Sequence, residues 1–364
     1  MPPATLFRYI AMRTLIGVGA LMAILTSLIL LIDLIENMRF AGKVAEGSFG
    51  LALGLTLMRL PSLALTLFPF VFLFGSIWAF NQLNRRSEIS VMRSAGLSIW
   101  RLLGPSSLIA AVAGLLIITI FDPISSGLLA YAEDLKSDKE DSDRSVVSVL
   151  GDGIWLRQRD ATSQIIINAR NFDAERAALE RVTVWRFGPE SVFLERIDAA
   201  EAFLSGKTLE LHDARLKSIS GQQVHRTPIY AIQTVLTAAD LHERVASPET
   251  MSLWQLPRFI VLADAAGLPT TRYHIRFHSL SATPLKLLAM VLIAAAFSLR
   301  PVRMGGMLEL LILSIGAGFL LYILSEISTA LGEAELAPVA LAAWAPALIA
   351  TLIAVTALLH LEDG

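Results

Sequence analysis

Few side chains in this sequence stand at spacings that chemistry could use, and most fail on inspection. SGKT at 205–208 resembles the end of a phosphate-binding loop, but that loop needs a glycine four intervening residues before Gly206, and position 201 is Glu. The segment reads as a hairpin turn. The six histidines lie apart, with no HExxH, which argues against a zinc site. His274 and His278 share i,i+4 spacing, but beside Arg272 and Arg276 they read as a polar collar at a membrane boundary. No GxSxG occurs. With no cysteine, disulfides, thiolate catalysis and Cys-ligated metals are excluded. The chain shows no machinery for catalysis of its own.

A more informative stretch is NQLNRRSEISVMRSAGLSIWRLLGP at 81–105. Ser87 can cap a helix, Ile89, Met92 and Leu97 give it an apolar stripe, and Gly96 ends it. This predicts a short amphipathic helix over about 84–96, with Glu88 near its start where the helix dipole favours a carboxylate. Two readings stay open on these residues. The arginines could only fix topology around a solvated turn, or the helix could dock in a partner's groove.

The elements that must position this loop follow from composition. The chain is 54% hydrophobic and 17% charged, against ~25% charged in soluble domains. Its net charge of −2 leaves no basic footprint for nucleic acid. Long uncharged runs predict six spans, at about 14–35, 60–80, 102–121, 280–299, 304–327 and 336–359. The fourth carries Lys286, and the fifth Glu309 and Glu326. The opening run from Thr14 to Ile32 outlasts a signal h-region of ~7–15 residues and lacks a small-residue cleavage site, so it reads as a retained span. Arg8 and Arg13, then Arg85, Arg86, Arg93 and Arg101, then Arg300 and Arg303 alternate correctly to share one side, expected to be cytoplasmic. Arg39 and Lys43 on the other side weaken that bias without reversing it.

Between about 125 and 250 the pattern changes to period two. GIWLRQ, SQIIIN, RVTVWRF, SVFLERI, AEAFLSG, TLELHDARL and PIYAIQTVL alternate apolar with polar residues. Turn signals at 151–153, 188–189, Gly206 and Gly221 separate them. Short strands at near-regular spacing predict an inserted all-β domain of sandwich or jelly-roll type, outside the cytoplasm. The acidic run at 133–144 reads as a connector, and MSLWQLPRFIVLADAAGL at 251–268 as a helix leading back to the membrane. The expected architecture is a membrane α-helical protein: spans one to three in 1–124, the β-domain in 125–250, and a connecting helix with spans four to six in 251–364.

The run from Arg59 to Leu102, which contains the second span and the arginine-rich loop, resembles the YjgP/YjgQ family, permease subunits of the lipopolysaccharide exporter. So do RYI at 8–10, IENMRFAG at 35–42 and ATPLKLLAMVLIAAAFSLRPVRMGG at 282–306. The resemblance covers the whole chain. Within the family IENMRFAG and APVALAAWAPAL at 337–348 are more similar to the LptG branch than to LptF.

That resemblance implies a division of labour. A paralogous LptF-like permease would pair with this chain above an LptB-like ATPase dimer that uses ATP and Mg, with no cofactor bound here. A single-span LptC-like protein and an LptA-like periplasmic bridge would receive lipopolysaccharide from it, the β-domain offering an edge strand. The loop helix would be the coupling helix, with Glu88, Arg85, Arg86 and Arg93 at the ATPase contact. Arg39, Lys43 and Arg59 would meet the substrate's phosphates, although interfacial snorkelling alone accounts for such residues. Asp33 stands where some relatives carry Lys, so no contact carries over there. Spans one and five would form the lateral gate, with Leu28, Leu31, Gly316, Gly318 and Leu321, although the small residues of SIGAG also suit plain close packing. Alternatives are a permease that only transmits motion to a periplasmic partner, which usually has four spans, a lipid-modifying enzyme, and a membrane-anchored scaffold.

Overall fold

The computed structural model describes residues 3–363 except 45–46, 140–145, 151–152, 160–163, 174–177, 189–191, 206–207, 219–223, 235–246, 267 and 300–306. Arg300, Arg303, part of the acidic connector and the predicted turn residues Gly151, Pro189, Gly206 and Gly221 therefore lie outside the described residues. The chain divides into two compact units. Residues 1–129 and 275–364 form one, and residues 130–274 the other.

In the first unit the apolar runs become helices that outlast them. α1 covers Pro3–Ala41 and α2 Phe49–Arg85, 39 and 37 residues long. Past the apolar runs, 36–41 of α1 and 81–85 of α2 contain no proline or glycine to stop the helix. Ser48 caps α2 by accepting the Leu51 N–H at 3.2 Å. Pro61 and Pro69 sit inside α2 without ending it, as neighbouring spans allow. α3 covers Glu88–Ser94 and α4 Ile99–Leu116, followed by a π turn at Ile117–Phe121 and by α5, Asp122–Lys139.

After the β-strands come α6 (Leu256–Ala265), α7 (Thr271–Ser281), α8 (Thr283–Ser298), α9 (Met307–Glu333) and α10 (Val339–Asp363). Among the described residues five helices are long and apolar enough to cross a membrane, and α7 with α8, bent by 50°, makes a sixth candidate. The fourth expected span is thus broken. Pro284 in the first turn of α8 has no N–H to continue α7, which accounts for the break.

Close approach, more than area, holds these helices. A Cβ on Gly75 of α2 would stand 2.7 Å from the Val18 backbone of α1, and one on Gly17 would stand 2.5 Å from the Gly75 carbonyl oxygen. Gly114 of α4 leaves room in the same way for Pro284 of α8. α8 lies at the centre, buried from Ala289 to Ala296, with Phe72, Leu73, Phe80 and Leu103 packed around it. At the far end of α4, Arg276 Nη2 reaches the fully buried Asp122 Oδ1 at 3.3 Å. That pair fastens α7 to the end of the π turn.

The second unit holds β1 (Val146–Leu150), β2 (Gly153–Arg159), β3 (Gln164–Ala169), β4 (Asn171–Asp173), β5 (Ala178–Phe187), β6 (Phe193–Ser205), β7 (Thr208–Ser218) and β8 (Val224–Gln233). They make one antiparallel sheet in the order β1-β2-β3-β5-β6-β7-β8, with β4 paired to β5. Apart from the short β4, which lies off this path beside β5, the strands pair in chain order. The Thr234 hydroxyl, just past β8, donates to the buried Gln158 side chain on β2 at 3.0 Å. These strands are not neighbours in the sheet, so it must curl until its two ends approach.

SVFLERI and AEAFLSG, expected as two strands, are the single strand β6. The alternation of buried residues slips between Ala199 and Ala202, and the same slip occurs in β5 and β7, where Arg181 and Asp213 take positive φ. A local kink therefore imitates a strand break in the sequence. SGKT is the β6–β7 hairpin connection, since Ser205 pairs with Thr208. On the outer face burial opposes ionisation of Asp198. Hydrogen bonds from Arg196, Lys217 and Thr183 outweigh it and hold the carboxyl below its usual range.

Gly75→Leu should force α1 and α2 apart and lower stability by about 1–3 kcal/mol or more, read as a lower unfolding midpoint in detergent. Gly104→Leu is the control, since nothing lies within 4 Å of its Cβ position.

Candidate functional site

Ionisable side chains of the membrane unit gather at opposite ends of its helices. At one end α2 stops at Arg85 and α3 starts three residues later. The left-handed turn that joins them uses Ser87, at φ 56°, and the Ser87 N–H bonds the Asn84 carbonyl at 2.9 Å. Ser87 therefore terminates α2 and makes no side-chain cap on α3, contrary to expectation. Residues 84–85, expected in the loop helix, belong to the last turn of α2. Gly96 does end α3, at φ 82°. Its N–H bonds the Arg93 carbonyl and the Leu97 N–H bonds the Met92 carbonyl, the paired bonds of a Schellman stop.

The apolar stripe of α3 points inward. Ile89 is buried in the core and Met92 packs against it, while Val91 on the other face is 65% exposed, with Ser90, Ser94 and Ala95 also exposed. Three further contacts hold α3 or its hinge. The Tyr9 hydroxyl of α1 lies 2.9 and 3.2 Å from the two Glu88 carboxylate oxygens. Arg93 Nη2 donates to the Leu361 carbonyl of α10 at 3.2 Å. Asn84 Nδ2 donates to the Ser298 carbonyl at the end of α8 at 3.3 Å. Arg86 stands 3.9 Å from Glu88, and Arg85 is exposed. Glu88 keeps 29% of its side chain exposed.

At the opposite end of α1 and α2, Arg59 Nη1 meets Asp33 Oδ1 at 3.0 Å. Asn37 Nδ2 donates to Asp33 Oδ2 at 2.7 Å and to Thr56 Oγ1 at 3.0 Å. Asn37 and Thr56 are fully buried. An open cleft of about 540 Å³ lies beside this cluster, with Asp33, Glu36, Arg39 and Arg59 on its polar side and Ile29, Ile32, Ile35 and Leu63 on its apolar side. Of the three expected cations, Arg39 and Arg59 line this one cleft. Lys43, exposed in the turn after α1, is not among its lining residues. Asp33 offsets the charge of Arg59. Arg39 is exposed and makes no ion pair among the described residues.

The five expected gate residues divide. Leu28 and Leu31 are exposed on α1, and Gly316 is exposed on α9. Gly318 is buried against Leu73 of α2, and Leu321 is buried among α8, α9 and α10. Sequence reasoning missed Tyr9, Asn37 and Thr56. Asn37 had a signal, because it stands one helical turn after Asp33. Thr56 had none, and the spacing of Tyr9 pointed only to Arg13, four residues on, and not to Glu88.

Compared with known proteins, the chain matches at residues 8–360 the family model described as the lipopolysaccharide export system permease LptF/LptG. The chain belongs to this family. It is 24% identical to the lipopolysaccharide export system permease protein LptG of Haemophilus influenzae, over 89% of each chain. It is 22% identical to the LptG of Escherichia coli strain K12, over 90% of each. The family expected from the loop motif is the one found, and both relatives carry the LptG name that IENMRFAG favoured. This LptF/LptG chain is accordingly a multi-pass membrane permease.

Asp33→Ala should remove the acceptor shared by Arg59 and Asn37. Arg59 stays partly exposed, which screens the loss, so about 1–3 kcal/mol is expected, read by thermal unfolding of the purified chain. Asp33→Asn keeps an acceptor for Asn37 and should cost less.

Proposed function

We propose that this chain is the permease subunit that extracts lipopolysaccharide from the outer leaflet of the inner membrane and hands it to a periplasmic bridge. A separate LptB-like ATPase dimer, using ATP and Mg, supplies the work. An LptF-like paralogue completes the membrane pair, and an LptC-like protein with an LptA-like bridge continues the route from the β-domain. Membership of the export permease family supports each of these assignments.

The observation that carries the coupling step is α3 itself. A short helix keyed inward by Ile89 and Met92 presents Val91 and small polar residues outward, flanked by Arg86 and Arg93. It has the form of a part that fits a groove, and its contacts to α1 and α10, with the α2–α3 hinge bonded to the end of α8 through Asn84, would spread a push among several spans. Glu88, partly exposed at its start, is the group we assign to a cation of the ATPase. The contacts that bring Tyr9, Glu88 and Leu361 to one end support a common side for both termini and α3. The basic loops support a cytoplasmic side there, and with it a periplasmic β-domain.

The cleft at the other end suits an amphiphile with an anionic head. Arg39 is its unpaired cation, Arg59 is tempered by Asp33, and isoleucines continue the surface toward the membrane interior. Leu28 and Leu31 on α1 and the Gly316 face of α9 are the gate surfaces we retain. Gly318 and Leu321, packed inward, act instead as the seat of α9.

Two measurements test this reading in the reconstituted complex. Glu88→Ala should leave the chain inserted and ATP hydrolysis running while lipopolysaccharide export falls about tenfold or more, the scale of a lost charge-assisted bond. Wild-type export by this variant would overturn the coupling role. Arg39→Glu should abolish crosslinking to lipopolysaccharide from the cleft; unchanged crosslinking would remove Arg39 from the site. Failure of the wild-type chain to co-purify with an ATPase subunit would refute the larger proposal.

A further inference from the structure

The Glu88 contact has a second end. Tyr9 is itself braced. Arg13 Nη2 donates to the Tyr9 hydroxyl at 3.2 Å and its guanidinium lies over the Tyr9 ring at 5.2 Å from the centroid. Arg13 Nη1 is fixed in turn by Gln82 Oε1 of α2 at 2.6 Å. One turn further along α1, Thr14 Oγ1 lies 2.8 Å from Ser106 Oγ of α4, and Ile10 is buried in the core. The first turns of α1 are therefore clamped to α2, α3 and α4 together.

Burial along α1 is banded. Ile10, Thr14 and Gly17 are buried near one end, and Asp33, Asn37, Phe40 and Ala41 near the other. No residue from Val18 to Ile32 is buried. α1 has no proline between Tyr9 and Arg39, and at 1.5 Å per residue that stretch is about 45 Å long. It is a continuous rod whose buried residues lie at its two ends, with one side of its middle exposed. One end touches the carboxylate of α3, and the other carries Asp33 and Arg39 of the cleft.

We infer that Tyr9 is a positioning residue that pins α3 to α1, so that α1 carries a displacement of α3 along its length to the Asp33–Arg59–Arg39 cleft. This rests on the coupling reading of α3. The covalent α2–α3 hinge alone would move α2. The Tyr9 hydroxyl brings α1 into the same motion, so ATP-driven movement at one end alters the charged cleft at the other.

The test uses the complex with its ATPase, reconstituted in vesicles containing lipopolysaccharide. It compares Tyr9→Phe, Glu88→Ala and the double variant. Tyr9→Phe removes one hydroxyl. It should lower lipopolysaccharide moved per ATP about tenfold, the scale of one hydrogen bond to a charged group, while the complex still assembles. A fluorophore at position 24 on the exposed middle of α1 should lose its nucleotide-dependent signal in Tyr9→Phe, which a merely structural role would not produce. The double variant should be no worse than Glu88→Ala alone, because both remove one contact. Wild-type transport and signal in Tyr9→Phe, with Glu88→Ala impaired, would overturn the pin and leave the coupling reading standing. Additive losses in the double variant would overturn it too. Wild-type transport by Glu88→Ala as well would remove both.

Discussion

A helix that crosses a bilayer can keep a charge or an open backbone group only where water or a partner meets it. That demand organises this chain. Arg13, Glu88, Arg86 and Arg93 gather at one end of the helices. Asp33 with Arg59, and Asp122 with Arg276, are paired at the other. Between these layers, contact is made by small residues and apolar side chains, with Gly17 against Gly75 and Gly114 against Pro284. Where the helices touch, close packing does the work, as expected where burial of apolar surface gains nothing over lipid.

The polar layers differ in what they leave open. Around Asp33 both carboxylate oxygens are taken, one by Arg59 and one by Asn37, so the cluster is largely spent on joining α1 to α2. Arg39, one helical turn beyond Glu36, is left facing the cleft. Around Glu88 the balance is different. A single phenolic proton serves two carboxylate oxygens, which leaves acceptor capacity for a group from outside.

Much of this was legible in residue order because a bilayer writes long apolar runs that no other environment requires. The spans, the inserted β-domain and the position of the loop helix all followed from period and charge. The failures have physical causes. Helix ends were placed too early because hydropathy marks where lipid ends, while α1 and α2 continue until Gly42 and the left-handed turn at Ser87 stop them. Ser87 reads as a cap by type, yet its backbone was already needed to end α2. β6 read as two strands because its alternation slips where β5 and β7 slip beside it, and a property shared by three strands is invisible in one. Gly318 and Gly316 are alike in sequence and differ only in which helix face they occupy. Tyr9 could not be found by spacing, since 79 residues separate it from Glu88.

The π turn at Ile117–Phe121 sets a length rule for the third span. A π turn amounts to one extra residue in an α-helix, and each residue advances the helix by about 100°. Deleting any one residue there would restore regular winding. Asp122 would swing by that angle away from Arg276, leaving a buried carboxylate and a largely buried guanidinium without each other. Substitutions among apolar residues at 117–121 preserve the count and the pairing. Drift at this position is therefore free in kind and fixed in number, and an alignment across this span should tolerate replacement far better than a gap.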